Sequence, residues 1–96
     1  MPDVEIIYIA GPITSVADYR ENFARAEQCL SGSGKVILNP ALLPEGMPYE
    51  SYMPICDAME DVAGTIYFLR GWEHSTGARR EFDRATRDGK KICFER

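Results

Sequence analysis

Apolar residues fall along the chain in two kinds of run. Four runs are short, dense and rich in β-branched or aromatic residues: VEIIYIA (4–10), KVILNP (35–40), TIYFL (65–69) and KKICFE (90–95). In the first, apolar residues nearly fill the run instead of alternating with polar ones, as in a strand covered on both faces. Three longer stretches lie between the strands. In the first, Tyr19, Phe23, Ala26 and Leu30 recur at helical spacing, and SGSG at 31–34 stops the helix. YESYMPICDAMEDVAG (49–64) reads as a second helix with Pro54 near its first turn, where a missing N–H costs little. STGARREFDRATRDG (75–89) reads as a third, with Ser75 or Thr76 as N-cap and Gly89 as C-cap. ALLPEGMP (41–48), which follows Pro40, has no clear period and reads as a loop.

Strands alternating with helices predict an α/β fold with a parallel sheet covered on both faces. The handedness of the crossovers favours a doubly wound three-layer sandwich, flavodoxin-like or Rossmann-like, with four strands in the order 2-1-3-4. Ligands in such sheets bind beyond the carboxyl ends of the strands, at the switch point between strands 1 and 3. Two loops are singled out, AGPIT after strand 1 and RGWEHSTGA after strand 3.

At 96 residues the chain is one domain, 1–96, near the small end of what buries its own core. Its net charge of −4 argues against a nucleic-acid groove, which needs clustered Lys and Arg, but not against a small anion held at a helix N-terminus. Cys29, Cys56 and Cys93 are widely spaced and read as buried free thiols of a reducing cytosol. No apolar run approaches membrane-spanning length and the start lacks a basic n-region, so the expectation is a cytoplasmic protein without a membrane partner. Exposed edges on so small a sheet predict a homo-oligomer, most simply a two-fold dimer.

Several residues carry candidate chemistry. Gly77 opens the third helix, where backbone N–H groups approach an anion closely; Ser75 either caps that helix or donates to a phosphate. Glu81 lies one turn in, and its side chain leans back towards the N-terminus. It is either a solvent-facing carboxylate that complements the helix dipole or a nucleophile or base beside a ligand. Tyr8, two residues before the end of strand 1, either orients that carboxylate or fills the core. Gly11 permits a tight turn under a ligand and Pro12 stiffens it. Asp57 and Asp61 share a helical face; either one of them receives sugar hydroxyls or the face is a solvated acidic one, which is how Glu60 reads. Trp72, which with His74 flanks the strand 3 loop, either stacks on a base or covers the sheet end. Arg79 and Arg80 read as surface charges. No His/Cys cluster offers a metal site, and no cofactor is expected.

YIAGPI at the start, NP after strand 2 and GWEHSTGARRE after strand 3 together resemble the nucleoside 2-deoxyribosyltransferase superfamily, which includes the 2'-deoxynucleoside 5'-monophosphate N-glycosidases. The match is to its small phage and bacterial branch and spans nearly the whole chain. The resemblance implies that Glu81 is the nucleophile and Tyr8 its hydrogen-bond donor. It implies a phosphate contact at Ser75, a ligand loop at Gly11, Pro12 and Ile13, and a ribose-contacting Asp57, with Asp61 as the alternative.

The function so implied is cleavage or transfer at the N-glycosidic bond of a (deoxy)nucleoside or nucleoside 5'-monophosphate. A carboxylate opposite the base stabilises or captures the positive charge that develops at the anomeric carbon. Asp57 or Asp61 is a candidate for protonating the departing base. The competing expectation is a non-catalytic module of the same fold that binds or sequesters a nucleotide.

Overall fold

The computed structural model describes residues 3–14 and 16–96. Strands and helices alternate as β1 (Glu5–Ala10), α1 (Tyr19–Leu30), β2 (Lys35–Leu38), α2 (Tyr49–Val62), β3 (Thr65–Phe68), α3 (Thr76–Arg87) and β4 (Lys91–Phe94). The strands form one parallel sheet in the order β2-β1-β3-β4. This is the predicted α/β architecture, with helices on both faces.

Side-chain alternation along the strands divides the core in two. Tyr8 and Ala10 of β1 and Ile66 and Phe68 of β3 pack with Ala63, Ala85, Cys56, Met59 and Phe82, under α2 and α3. Ile9, from the opposite face of β1, packs with Phe23, Ala26, Ala41 and Leu69 under α1. Tyr8 stands opposite Leu38 on one side and Ile66 on the other, so its ring lies in the middle of the sheet. The face that Tyr8 occupies is the one covered by Glu81's helix.

Helix ends follow local chemistry. The Ser75 hydroxyl accepts from the Ala78 N–H at 3.2 Å and caps α3. Asp88 is the C-cap, and Gly89 after it takes the left-handed conformation that ends such helices (φ 69°). In α2 the helix starts at Tyr49 after Pro48, so Pro54 lies inside it instead of in the first turn. The missing Pro54 N–H leaves the Glu50 carbonyl without its helical donor; Glu50 is exposed, so water is available to it. The expectation of three buried thiols is also corrected. All three cysteines are free, but Cys29 is exposed and Cys56 and Cys93 are partly buried. Cys29 lies on the outer side of α1, away from the Phe23–Ala26 face that meets the sheet. Among the described residues no helix is long and apolar enough to cross a membrane.

Gly11 marks where β1 leaves the sheet. A Cβ added there would stand 2.8 Å from Leu69 Cβ and from Leu69 Cδ1, and Leu69 is fully buried. Gly11→Ala is therefore expected to destabilise the fold by about 1–3 kcal/mol through overpacking. Gly64→Ala, at a position with open space around it, is the matched control. Urea unfolding midpoints check this, and equal midpoints for the two variants would show that the Gly11 contact is not tight.

Candidate functional site

The strands dictate where a cleft forms. β1 and β3 are neighbours whose following segments run to opposite faces of the sheet, so a crevice opens beyond their carboxyl ends. A cleft of about 370 Å³ occupies this position. Its floor is Tyr8, Ala10 and Gly11, and one wall is the start of α3 with Ser75, Gly77, Arg80 and Glu81.

Another wall comes from the β2–α2 connection, a proline-rich segment without a clear hydrophobic period. Asn39 organises it: its side-chain oxygen accepts from the Ala41 N–H at 2.9 Å, and its amide donates to Glu27 of α1 at 3.0 Å. A 3-10 turn over Pro40–Leu42 results. Arg20 of α1 donates to the Ala41 carbonyl at 2.7 Å. Farther along, the Tyr52 hydroxyl donates to the Pro44 carbonyl at 2.5 Å and accepts from the Met47 N–H at 3.3 Å. Tyr49, Tyr52 and Met53 of α2 add an aromatic and apolar part to the lining, and a Cβ at Gly77 would stand 3.5 Å from the Tyr49 hydroxyl. The signal for this wall was present. A proline-rich connection leaving the carboxyl end of a strand obeys the same rule that selected the other two loops.

The central contact joins sheet to helix. The Tyr8 hydroxyl donates to Glu81 Oε2 at 2.5 Å across 73 positions of chain. Burial pushes the Glu81 carboxyl up to about 8, against the Tyr8 hydrogen bond that lowers it; the negative charges of Glu60 and Asp57 add to the rise, and Arg80 opposes it. Tyr8 is itself raised well above its ordinary value, by burial first and by Glu81 second. Cys56 lines the cleft beside them, and burial raises its thiol too. Tyr8 and Glu81 are thus the two residues that the chain brings into direct contact inside the cleft, with Gly11, Ile13, Ser75 and Gly77 also in its lining.

Other predicted residues stand elsewhere. Asp57 faces α3 and takes both terminal nitrogens of Arg80, at 2.6 and 2.8 Å; those bonds hold its carboxyl below the usual range. Asp61 is bound to Arg84 at 2.6 Å. Neither belongs to the cleft lining, nor does Pro12. Trp72 covers the sheet end: it stacks on Phe82 at 4.8 Å and Phe94 at 5.8 Å, and it packs against Phe68.

Two charged residues differ from their predicted state. Arg80 is not a free surface charge, since it borders the cleft and is tied to Asp57. Glu60 is not on a solvated face: it is only 1% exposed. Met53, Cys56 and Glu60 follow one another at spacings of three and four along α2, which puts Glu60 on the inward side. Arg84 Nε donates to one of its oxygens at 3.1 Å, and the other has no partner. Burial raises this carboxyl to about 7, with Arg84 opposing the shift. Among the described residues no group of three His, Cys, Asp or Glu side chains is placed to hold a metal ion.

A sequence model of the family described as Domain of unknown function (DUF4406) matches residues 5–94. No curated protein and no solved structure matches the chain.

The carboxyls give stability a definite pH dependence. Glu60 and Glu81 are raised in the folded state, to about 7 and about 8 from an ordinary 4.5. Their neutral forms favour folding, so this contribution is complete below pH 4.5 and is lost as pH rises through 7 and 8. Asp57 is lowered from 3.8, so its contribution is present above that value and lost in acid. The thermal unfolding midpoint is expected to peak at about pH 4 to 5, to fall from there to about pH 8 and to level off above it. A midpoint that climbs steadily from pH 5 to 9 would contradict the assignment.

Proposed function

The chain belongs to the DUF4406 family, and for this member we propose cleavage or transfer at the N-glycosidic bond of a (deoxy)nucleoside or nucleoside 5'-monophosphate, with Glu81 as nucleophile. The observation that carries this reading is the Tyr8–Glu81 hydrogen bond inside a cleft at the sheet's switch point. The resemblance to the nucleoside 2-deoxyribosyltransferase superfamily supplies the reaction class.

The sugar lies over the floor with its anomeric carbon facing Glu81. As the bond to the base lengthens, the base leaves with the bonding pair and positive charge grows at that carbon. One oxygen of Glu81 is held by Tyr8 and the other attacks, forming a glycosyl ester. The departing base takes a proton from water, because Asp57 and Asp61 are ion-paired outside the cleft. Water, or a second base, then attacks the same carbon and frees Glu81; its proton passes to solvent. A 5'-phosphate rests on the Ser75 hydroxyl and the N–H groups that open α3. The aromatic wall of Tyr49 and Tyr52 faces the base.

Charge growth on the sugar offsets the desolvation of Glu81, since an adjacent cation favours the carboxylate. In the free protein the group must first lose its proton. kcat/KM for base release is therefore expected to rise with pH and level off above about 8. Tyr8→Phe removes a hydrogen bond that favours the ionised form, so it moves this inflection upward and lowers kcat/KM roughly ten- to a hundredfold. Glu81→Gln is expected to cost at least about a hundredfold. Free base is measured by chromatography after incubation with a panel of deoxynucleosides and their monophosphates. Wild-type rates in Glu81→Gln, or activity that declines as pH rises to 8, would remove Glu81 from the nucleophile's role. Calorimetric binding of a nucleotide with no base release would select the non-catalytic module instead.

The same reading includes a two-fold dimer in the cytoplasm. β2 and β4 are open sheet edges, and Ile55, Ala58 and Val62 form an exposed apolar stripe on α2. Sedimentation is expected to give twice the monomer mass at tens of micromolar; a monomer there would overturn the dimer.

A further inference from the structure

Behind the cleft, a line of charged side chains runs between α2 and α3. Glu60 is its inner end and the most deeply buried charged side chain among those described. Arg84 Nε lies 3.1 Å from Glu60 Oε1 and 3.6 Å from Asp57 Oδ1, and its terminal nitrogen reaches Asp61 at 2.6 Å. Asp57 in turn grips Arg80 with both oxygens. Arg80 is the outer end, in the cleft lining next to Glu81.

We propose that Glu60 is a positioning residue for the site: it anchors Arg84, Arg84 fixes Asp57, and Asp57 holds the Arg80 guanidinium at the cleft wall beside Glu81. This goes beyond the proposed function in assigning a role to a side chain that touches no substrate, and it rests on that reading only for its catalytic consequence.

Three observations carry the assignment. First, Glu60 is costly where it stands. A buried carboxyl with an unpartnered oxygen is less favourable than an apolar side chain of similar size, and the neighbouring inward positions on α2 are Met53 and Cys56. Second, Arg84 has three carboxylate neighbours, and Glu60 is the most deeply buried of them. Asp61, by contrast, has a side chain 55% exposed. Without Glu60, Arg84 is free to follow Asp61 outward and leave Asp57. Third, the line ends at the cleft. Arg80 and Asp57 form a two-point contact with fixed orientation, which a single-point contact would not give.

The groups facing Glu81 are Tyr8 from β1, Cys56, Asp57 and Glu60 from α2, and Arg80 from α3. Those facing Glu60 are Arg84 from α3 and Asp57 and Asp61 from its own helix. The negative charge of Glu60 is thus one of the causes that raise the Glu81 carboxyl, after burial. Neutralising Glu60 makes the proton on Glu81 easier to remove.

The test is direct titration of the glutamate carboxyls by carbon NMR in protein labelled at Glu side chains, with Glu81→Gln used for assignment. Wild type is expected to show two carboxyls with midpoints well above the rest. Glu60→Gln keeps the shape and an acceptor for Arg84, removes one of these signals and, through the lost charge, moves the Glu81 midpoint down by half a unit or more; Glu60→Met removes the acceptor as well, frees Arg80 and is expected to leave the Glu81 midpoint higher than Glu60→Gln does. Where Glu60→Met does not fold, Asp57→Ala against Asp57→Asn makes the same comparison one step along the line, since both remove the charge and only Asn keeps an acceptor for Arg80. Equal Glu81 midpoints within a folded pair, Glu60→Gln with Glu60→Met or Asp57→Asn with Asp57→Ala, overturn the proposal. Where base release is measurable, the inflection of kcat/KM moves with the NMR midpoint. If no substrate is cleaved, the proposed reaction fails, while the NMR shift still decides the positioning role.

Discussion

One hydrogen bond, from a phenol in the middle of the sheet to a carboxyl on the third helix, fixes the geometry of the cleft. Tyr8 cannot move without disturbing β1, whose neighbours hold it on both sides. Glu81 is therefore located by the sheet as well as by its own helix. The contact spans most of the chain, so it forms only when the two crossovers have packed. A carboxyl positioned this way costs no further ordering when a ligand arrives, which is what a group acting on a reacting carbon requires.

The second determinant is the packing of α2 against α3. These helices meet through charged side chains: Asp57, Glu60 and Asp61 from one, Arg80 and Arg84 from the other. Exposed ion pairs contribute little to stability, and buried ones often less than an apolar contact of the same shape. Their value here is directional. Guanidinium groups bound at two points fix the rotation of α3 about its own axis. That rotation decides whether Glu81 meets Tyr8.

Much of this was legible in the sequence, for physical reasons. Dense apolar runs separated by amphipathic stretches leave few topologies, and the strand order followed from crossover rules. Tyr8 and Glu81 were legible as candidates, because strand ends and helix starts are where such folds place chemistry. Charge pairing was not. A count along α2 groups Asp57, Glu60 and Asp61 as one acidic face, yet a rotation of one residue separates an inward carboxyl from two that face a neighbouring helix. Reading Glu60 with Met53 and Cys56 reveals the inward side, but Arg84, which makes its burial tolerable, is 24 positions away. Trp72 was ambiguous for a related reason. The aromatic residues that recruit it, Phe82 and Phe94, belong to elements that meet only after folding.

The charge arrangement also constrains which ligands the cleft accepts. The protein is acidic overall, and Arg80, the arginine in the cleft lining, is bound at two points by Asp57. In the proposed function an anionic group is held by uncharged donors, the Ser75 hydroxyl and the first N–H groups of α3; Gly77 leaves room there before the Tyr49 hydroxyl. Such a cradle acts only at short range, because a helix end carries about half a charge that fades within a turn. For the proposed nucleotide ligand, long-range attraction by an acidic protein is weak, so that reading requires recognition by close fit. A Tyr8–Glu81 pair held rigidly against the sheet, in one cleft with the aromatic side chains of Tyr49 and Tyr52, provides that fit.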